Sequence, residues 1–323
     1  MEDILLIISF LLALYVAWSV GANDETMAVA AGSGFSSITI AVVVGALMDF
    51  LGAVIFSERV ESTLGKGIVT FPLTLIDVFI ITSAMATWLV LGSYKGWPIS
   101  TTHSVVGAAI GLALFKAGIR GVNWQSLGNV AGAWILSPFF GMMGSYLMCK
   151  LIDYTITGRI RGMKTVLRAS RAAAIIVFAW AAFTSFSRGG NDVANATAFL
   201  VTVYPDPFIV RLIGGAGMAL GLVILGRRVV KNVGNELVEI TPLTGLAVQV
   251  SVALILFVGT FLGLPLSGTH ILVGAVIGVG LARGIWVNIK GLKEIAATWI
   301  ATFPGAGVIA VLLALTLKLT GYY

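Results

Sequence analysis

Two short polar words stand inside otherwise apolar sequence, and each occurs twice. The first, Arg188-Gly189-Gly190-Asn191-Asp192-Val193-Ala194-Asn195, sets two carboxamides and a carboxylate between the apolar stretches 175–186 and 196–203. Its partial copy, Gly21-Ala22-Asn23-Asp24, follows the apolar run 4–20, and the two asparagines are 168 residues apart. The second word, Ser100-Thr101-Thr102-His103, returns as Ser267-Gly268-Thr269-His270. Around it Pro98, Val106, Gly107, Ala108, Ile110, Gly111 and Leu114 recur as Pro265, Val273, Gly274, Ala275, Ile277, Gly278 and Leu281, every pair 167 apart. Buried polar clusters are costly unless they are paired or bind something. A duplicated cluster, one copy per half, points to a site where two repeats meet.

The Asn-Asp words offer hard oxygens. Asn23, Asp24, Asn191 and Asp192, with carbonyls released where a helix breaks, suit a hard cation such as Na⁺; the competing reading is polar glue between helices. The Ser/Thr words follow or contain proline and read as helix N-caps. Two helix starts converging inside a membrane would aim free N–H groups and positive dipole ends at one point, an anion site. Its donors would be Ser100, Thr101, Thr102, Ser267, Gly268 and Thr269, joined by Asn195. The words hold no arginine between them, so neutral donors are expected to carry the anion; plain capping is the alternative. Asp49 is a third acid inside an apolar segment. His103 and His270 are the only histidines and are expected to brace the tips, with a proton or substrate role as the other possibility.

The elements that must hold these words are membrane helices. The 323 residues are 58% hydrophobic and 11% charged, with mean hydropathy +1.02, far from the roughly 25% charged residues of a soluble domain. The acidic start Met1-Glu2-Asp3 lacks a basic signal-peptide region, so 4–20 is expected to be a retained helix. One cysteine, Cys149, excludes intrachain disulfides. The net charge of +6 is read as membrane topology rather than nucleic-acid binding. Arg159, Arg161, Lys164, Arg168 and Arg171 crowd one linker, which the positive-inside rule places in the cytoplasm. Each half then reads as a broken helix, a span, a re-entrant helical hairpin and a span. That is three crossings, so the repeats are inverted and both termini lie outside. The fold expected is all-α: a polytopic membrane protein with a first repeat at 1–152, the basic linker at 153–170 and a second repeat at 171–323. The stretch 57–72 is expected to be a polar loop matching 227–242. Gly107–Gly111 and Gly274–Gly278 are read as close helix packing. No nucleotide-binding motif is present.

At these words the chain resembles the inorganic phosphate transporter family, over nearly its whole length. Gly-Ala-Asn-Asp at 21–24, Gly-Gly-Asn-Asp-Val-Ala-Asn at 189–195, Pro-Ile-Ser-Thr-Thr-His at 98–103 and Pro-Leu-Ser-Gly-Thr-His at 265–270 carry the likeness, with Gly226-Arg227-Arg228-Val229 and Ile240-Thr241-Pro242. The resemblance implies a secondary transporter, not an enzyme, moving inorganic phosphate with Na⁺ or H⁺. The short linker implies a prokaryotic form in the inner (cell) membrane. Departures are Glu25-Thr26-Met27 after Asp24, where the family usually has Val-Ala-Asn, and Asp49 and Gln249, where eukaryotic members carry glutamates. The reading is cation-coupled phosphate symport, with phosphate between the tips, Na⁺ among Asn23, Asp24, Asn191 and Asp192, and Asp49, His103, His270 and Gln249 as accessories. Sodium ions are the expected co-substrate, with protons as the alternative, and no organic cofactor or nucleic acid is expected. A homodimer is expected from the small-residue faces. Sulfate transport, an anion channel and a phosphate-ester enzyme are the rivals. Phosphate retains a proton that an aspartate can accept, which sulfate lacks; carboxylates beside the tips and the absence of a basic ring disfavour a channel.

Overall fold

The computed structural model describes residues 2–24, 26–95, 97, 99–156, 162–226, 241–284 and 289–323. Pro98, linker residues Arg159 and Arg161, and most of the 227–242 stretch, with Arg227, Arg228 and Lys231, lie outside them. The regular structure of the described residues is helical, with one isolated bridge between Val69 and Val122.

The first half contains α1 (Glu2–Ala22), a short α2 (Ala28–Gly32), α3 (Ile38–Phe56), α4 (Glu58–Gly67), α5 (Leu75–Lys95), α6 (Thr101–Ala117) and α7 (Trp124–Thr155). The second contains α8 (Met163–Asp192), the short α9 (Ala194–Thr197) and α10 (Leu200–Val203), α11 (Pro207–Gly221), which runs on into a π turn, α12 (Pro242–Phe261), α13 (Gly268–Arg283) and α14 (Ile289–Leu319). Among the described residues nine helices are long and apolar enough to cross a membrane. The hairpin arms α5 and α12 are 21 and 20 residues, about 30 Å at 1.5 Å per residue, so each can cross a bilayer alone; α13 has 16.

Helix starts follow local chemistry. Ser37, Ser100, Asn123, Asp206 and Thr241 each accept a backbone N–H of the helix they precede, satisfying donors that have no intrahelical partner. The first Asn-Asp word breaks its helix as expected: α1 stops at Ala22 and helix resumes at Ala28. The second lies at the end of α8, and the break follows Asp192.

The 57–72 stretch departs from expectation, because ten of its residues form α4. Glu58 and Glu61 lie in its first turn, Lys66 in its last, and Val60 and Leu64 are buried one turn apart, an amphipathic helix with charges that complement its dipole. Arg59 donates from Nη1 to the Phe261 carbonyl (2.6 Å). Buried Glu61 accepts from Thr197 Oγ1 and Arg211 Nε, each at 2.7 Å. α4 thus ties the end of α12 to α9 and α11.

The long helices pack across the two halves in reciprocal pairs. α1 lies on α11 and α3 on α8; α6 lies on α14 and α13 on α7; α1 packs against α5, and α8 against α12. Backbones approach at glycine. A Cβ at Gly107 would fall on the Phe303 carbonyl oxygen, and one at Gly274 on that of Pro138. Gly52 and Gly189 do the same between α3 and α8, and Gly21 and Gly221 between α1 and α11. Close packing is therefore the role of both Gly-x-x-x-Gly words, as in small-residue membrane interfaces.

Candidate functional site

The two Ser/Thr words meet. Ser100 caps α6 through its side chain, accepting from the His103 N–H (3.4 Å). Ser267 precedes α13 without a side-chain capping bond, so that hydroxyl is not committed to its own helix. The tips are bonded to each other: buried Thr102 donates from Oγ1 to the Leu266 carbonyl (3.0 Å). Asn195 Nδ2 donates to Thr101 and Thr102 Oγ1 at 3.3 and 3.4 Å. Asn191 holds the other tip, donating to Thr260 Oγ1 and the Leu264 carbonyl (both 2.9 Å) and accepting from the Leu266 N–H (3.0 Å). Trp134 Nε1 donates to the Pro265 carbonyl (2.9 Å). The start of α13 is thereby fixed from α8, α7 and α6.

The carboxylates surround an arginine that the sequence reading left out. Arg188, 7% exposed, donates from Nε to Asp192 Oδ2 (2.8 Å) and from Nη1 to Asp24 Oδ1 (2.9 Å) and Thr26 Oγ1 (3.2 Å). It bridges the Asn-Asp words of both halves. It also lies against the start of α13, since a Cβ at Gly268 would be 3.3 Å from its Nε. An arginine thus stands beside tips where the sequence led us to expect neutral donors alone. An arginine one turn before an aspartate is an i,i+4 pair, and that spacing was the available signal.

Asp24 also accepts the Thr26 N–H (2.7 Å) through Oδ1. Its Oδ2, both oxygens of Asp49, and Asn195 Oδ1 are buried and receive no N–H or hydroxyl donor among the described residues, and the Asp24 and Asp49 carboxyls lie within reach of each other. Asp49 is fully buried and lies in the field of Asp24, Arg188 and Asp192. Acceptor oxygens without donors are rare in protein interiors and fit a hard cation held by oxygen ligands. Asn23 departs from this group: its side chain is exposed, and Nδ2 donates to the Ser19 carbonyl (2.8 Å). Gln249 ties α12 to the broken helix, accepting from Thr184 Oγ1 (3.0 Å) and donating to the Thr26 carbonyl (2.9 Å). The His103 and His270 rings are 4.8 Å apart, His103 against Trp134 at 4.0 Å and His270 against Trp299 at 3.5 Å.

Residues 20–310 match the model of the "Phosphate transporter family". The chain belongs to the phosphate transporter family. A protein of Pyrococcus furiosus named "Putative phosphate permease PF1020" is 31% identical over 96% of this chain and 95% of its own length. "Inorganic phosphate transporter 2-1, chloroplastic" of Arabidopsis thaliana is 29% identical over 94% of this chain and 70% of its own. The solved structure "The sodium-dependent phosphate transporter" superposes with TM-score 0.87 at 29% identity, covering 98% of this chain and 99% of that one. This phosphate transporter family member is therefore an all-helical, multi-pass membrane protein and a transporter rather than an enzyme.

Within this family member, Ser100, Thr101, Thr102, Ser267, Gly268 and Asn195 come together, and half-buried Thr269 follows Gly268 in the first turn of α13. Asp24 and Asp192 meet through Arg188, with Asp49 beside them. Asn191 is spent on bracing the second tip, and Asn23 stands apart from the group.

Proposed function

We propose that the chain carries inorganic phosphate together with Na⁺, in one site shared by two inverted repeats, 1–152 and 171–323. The observation that carries this reading is the Thr102–Leu266 bond, which joins the starts of α6 and α13 beside three carboxylates. Two helix N-termini supply N–H groups and positive dipole ends for an anion. Hydroxyls of Thr101, Ser267 and Thr269 add donors. Asp24 and Asp49, which have oxygens that protein donors leave open, would hold the cation together with the neighbouring Asp192. Na⁺ there offsets charge that would otherwise repel phosphate, which is the coupling. The packing is reciprocal between the halves, with α1 on α11 matched by α8 on α3 and α6 on α14 matched by α13 on α7, which supports the repeat, and the 29%-identical sodium-dependent relative supports the choice of ion.

The test is uptake of labelled phosphate into proteoliposomes under imposed Na⁺ or H⁺ gradients, with sulfate as competitor. A Na⁺ gradient is expected to drive concentrative uptake that sulfate does not inhibit. Asp192→Asn, which keeps shape and removes charge, is expected to abolish the Na⁺ stimulation. Uptake that ignores Na⁺ and rises as external pH falls would replace sodium with protons as the coupling ion.

A further inference from the structure

Arg188 is buried, charged and placed between the two halves of the proposed site. On one side it holds Asp192 and Asp24 at 2.8 and 2.9 Å. On the other it lies against Gly268, the first residue of α13. The carboxylate oxygens it occupies, Asp192 Oδ2 and Asp24 Oδ1, belong to the groups assigned to the cation. A guanidinium and a Na⁺ therefore compete for the same carboxylates.

A buried guanidinium cannot be left unpaired; breaking such a pair is costly unless a new anion replaces the old one. The nearest place for a new anion is the helix start that Arg188 already touches. Arginine suits phosphate there, because its planar fork can present two parallel N–H donors to two oxygens. Resting on the sodium–phosphate reading above, we propose that Arg188 is the coupling residue: a tethered cation that occupies Asp24 and Asp192 until Na⁺ takes them, and then turns its guanidinium to the phosphate at the α13 tip. Na⁺ binding thereby releases a phosphate ligand, and phosphate binding holds the arginine away from the carboxylates. Each ligand strengthens the other by the same factor, as linkage requires.

The competition gives Arg188→Met opposite effects on the two ligands. Methionine keeps an unbranched stem and removes the charge. Without the competing cation, Na⁺ binding to the phosphate-free protein is expected to tighten about tenfold. Without the guanidinium, phosphate affinity at saturating Na⁺ is expected to fall about tenfold or more. A brace that merely holds the site together would loosen both ligands, and a bystander would change neither; either result overturns the proposal. Arg188→Lys keeps a charge and loses the fork. It is expected to weaken phosphate severalfold while leaving Na⁺ affinity within about twofold of wild type, and parallel loss of both ligands again overturns the proposal. This second variant decides the matter should Arg188→Met fail to fold. The experiment is equilibrium binding of radiolabelled Na⁺ and of radiolabelled inorganic phosphate to the purified full chain, with thermal unfolding as the folding control. Wild type that binds phosphate but ignores Na⁺ sinks the sodium reading itself. Na⁺-dependent wild type with no opposed shift in the variants sinks only the role of Arg188.

Discussion

Thr102→Val tests whether the two helix tips are held together by one hydroxyl. Thr102 is 1% exposed, and its Oγ1 donates to the Leu266 carbonyl at 3.0 Å while accepting from Asn195 Nδ2 at 3.4 Å. Valine keeps the shape and removes both bonds. The Leu266 carbonyl, on a residue 3% exposed, loses its donor from α6, which costs about 1–3 kcal/mol. The added methyl returns up to about 0.8 kcal/mol through burial. Asn195 retains Thr101 as acceptor, so little is added there. The net expectation is a loss of about 1–2 kcal/mol. The same hydroxyl sets the spacing of the tips, so phosphate affinity is expected to fall about tenfold, equivalent to about 1.4 kcal/mol. Thr102→Ser keeps the hydroxyl and is expected to stay near wild type in affinity. The assay pairs denaturant unfolding in detergent with a phosphate isotherm for both variants. If valine and serine behave alike in both measurements, the tip–tip bond carries no energy and the reasoning from it fails.

Other substitutions probe the scaffold. Gly107→Ala and Gly274→Ala each place a methyl on a facing carbonyl oxygen, so the helices must part by roughly 1 Å, costing about 1–3 kcal/mol. Gly132→Ala, with open space around its Cβ, is expected to gain about 0.5–1 kcal/mol from helix propensity, and thermal melting in detergent separates the three. Glu61→Ala strands Arg211, which is 16% exposed with Glu58 3.9 Å away, so the loss should sit at the low end of about 3–5 kcal/mol, read by denaturant unfolding. Tyr323 donates to Asp77 Oδ1 (2.6 Å), and burial together with Asp77 pushes its hydroxyl pKa above the ordinary 10.0. The raised value means the contribution of this group is complete below pH 10 and fades as pH rises beyond it; stability of wild type relative to Tyr323→Phe should decline over that range.

Much of the site was legible because its words are duplicated and polar in apolar surroundings. Thr102, Asn195, Asp24 and Asp192, which the structure brings into one region, stand out that way, and the paired glycine words point to close helix packing. What was missed required knowing which elements face each other. Arg188 opens the first word, but its reach from α8 to Asp24, just past the end of α1, spans 164 residues and no local pattern encodes it. Asn191 was read as a cation ligand because a carboxamide beside a carboxylate looks like an oxygen donor. Its three bonds go instead to Thr260 in the last turn of α12 and to Leu264 and Leu266 in the connection that follows, whose proximity no local pattern encodes. α4 was a different failure. Its dipole-matched charges and its Val60–Leu64 spacing were visible, but a short charged stretch between long apolar runs was taken for a loop.

The contrast between two kinds of contact limits how the site can open. Within the pairs α6–α14, α7–α13, α3–α8 and α1–α11, backbone meets backbone at glycine, with no room for even a methyl. Interfaces packed that closely do not deform gradually. Between the pairs, bonds at the site are polar: Thr102 to Leu266, Asn195 to Thr101, Asn191 to Leu264, and Arg188 to Asp24. Such bonds can be exchanged for bonds to an ion or a phosphate at small net cost, because the groups stay satisfied. On the proposed reading, a motion that admits phosphate is expected to exchange the bonds of this polar seam while the glycine-packed pairs stay intact. α4 crosses one end of the seam, pinned by Arg59 to Phe261 and by Glu61 to Arg211 and Thr197. Opening at that end requires at least one of those pins to release, whereas the bonds within the pairs can remain intact.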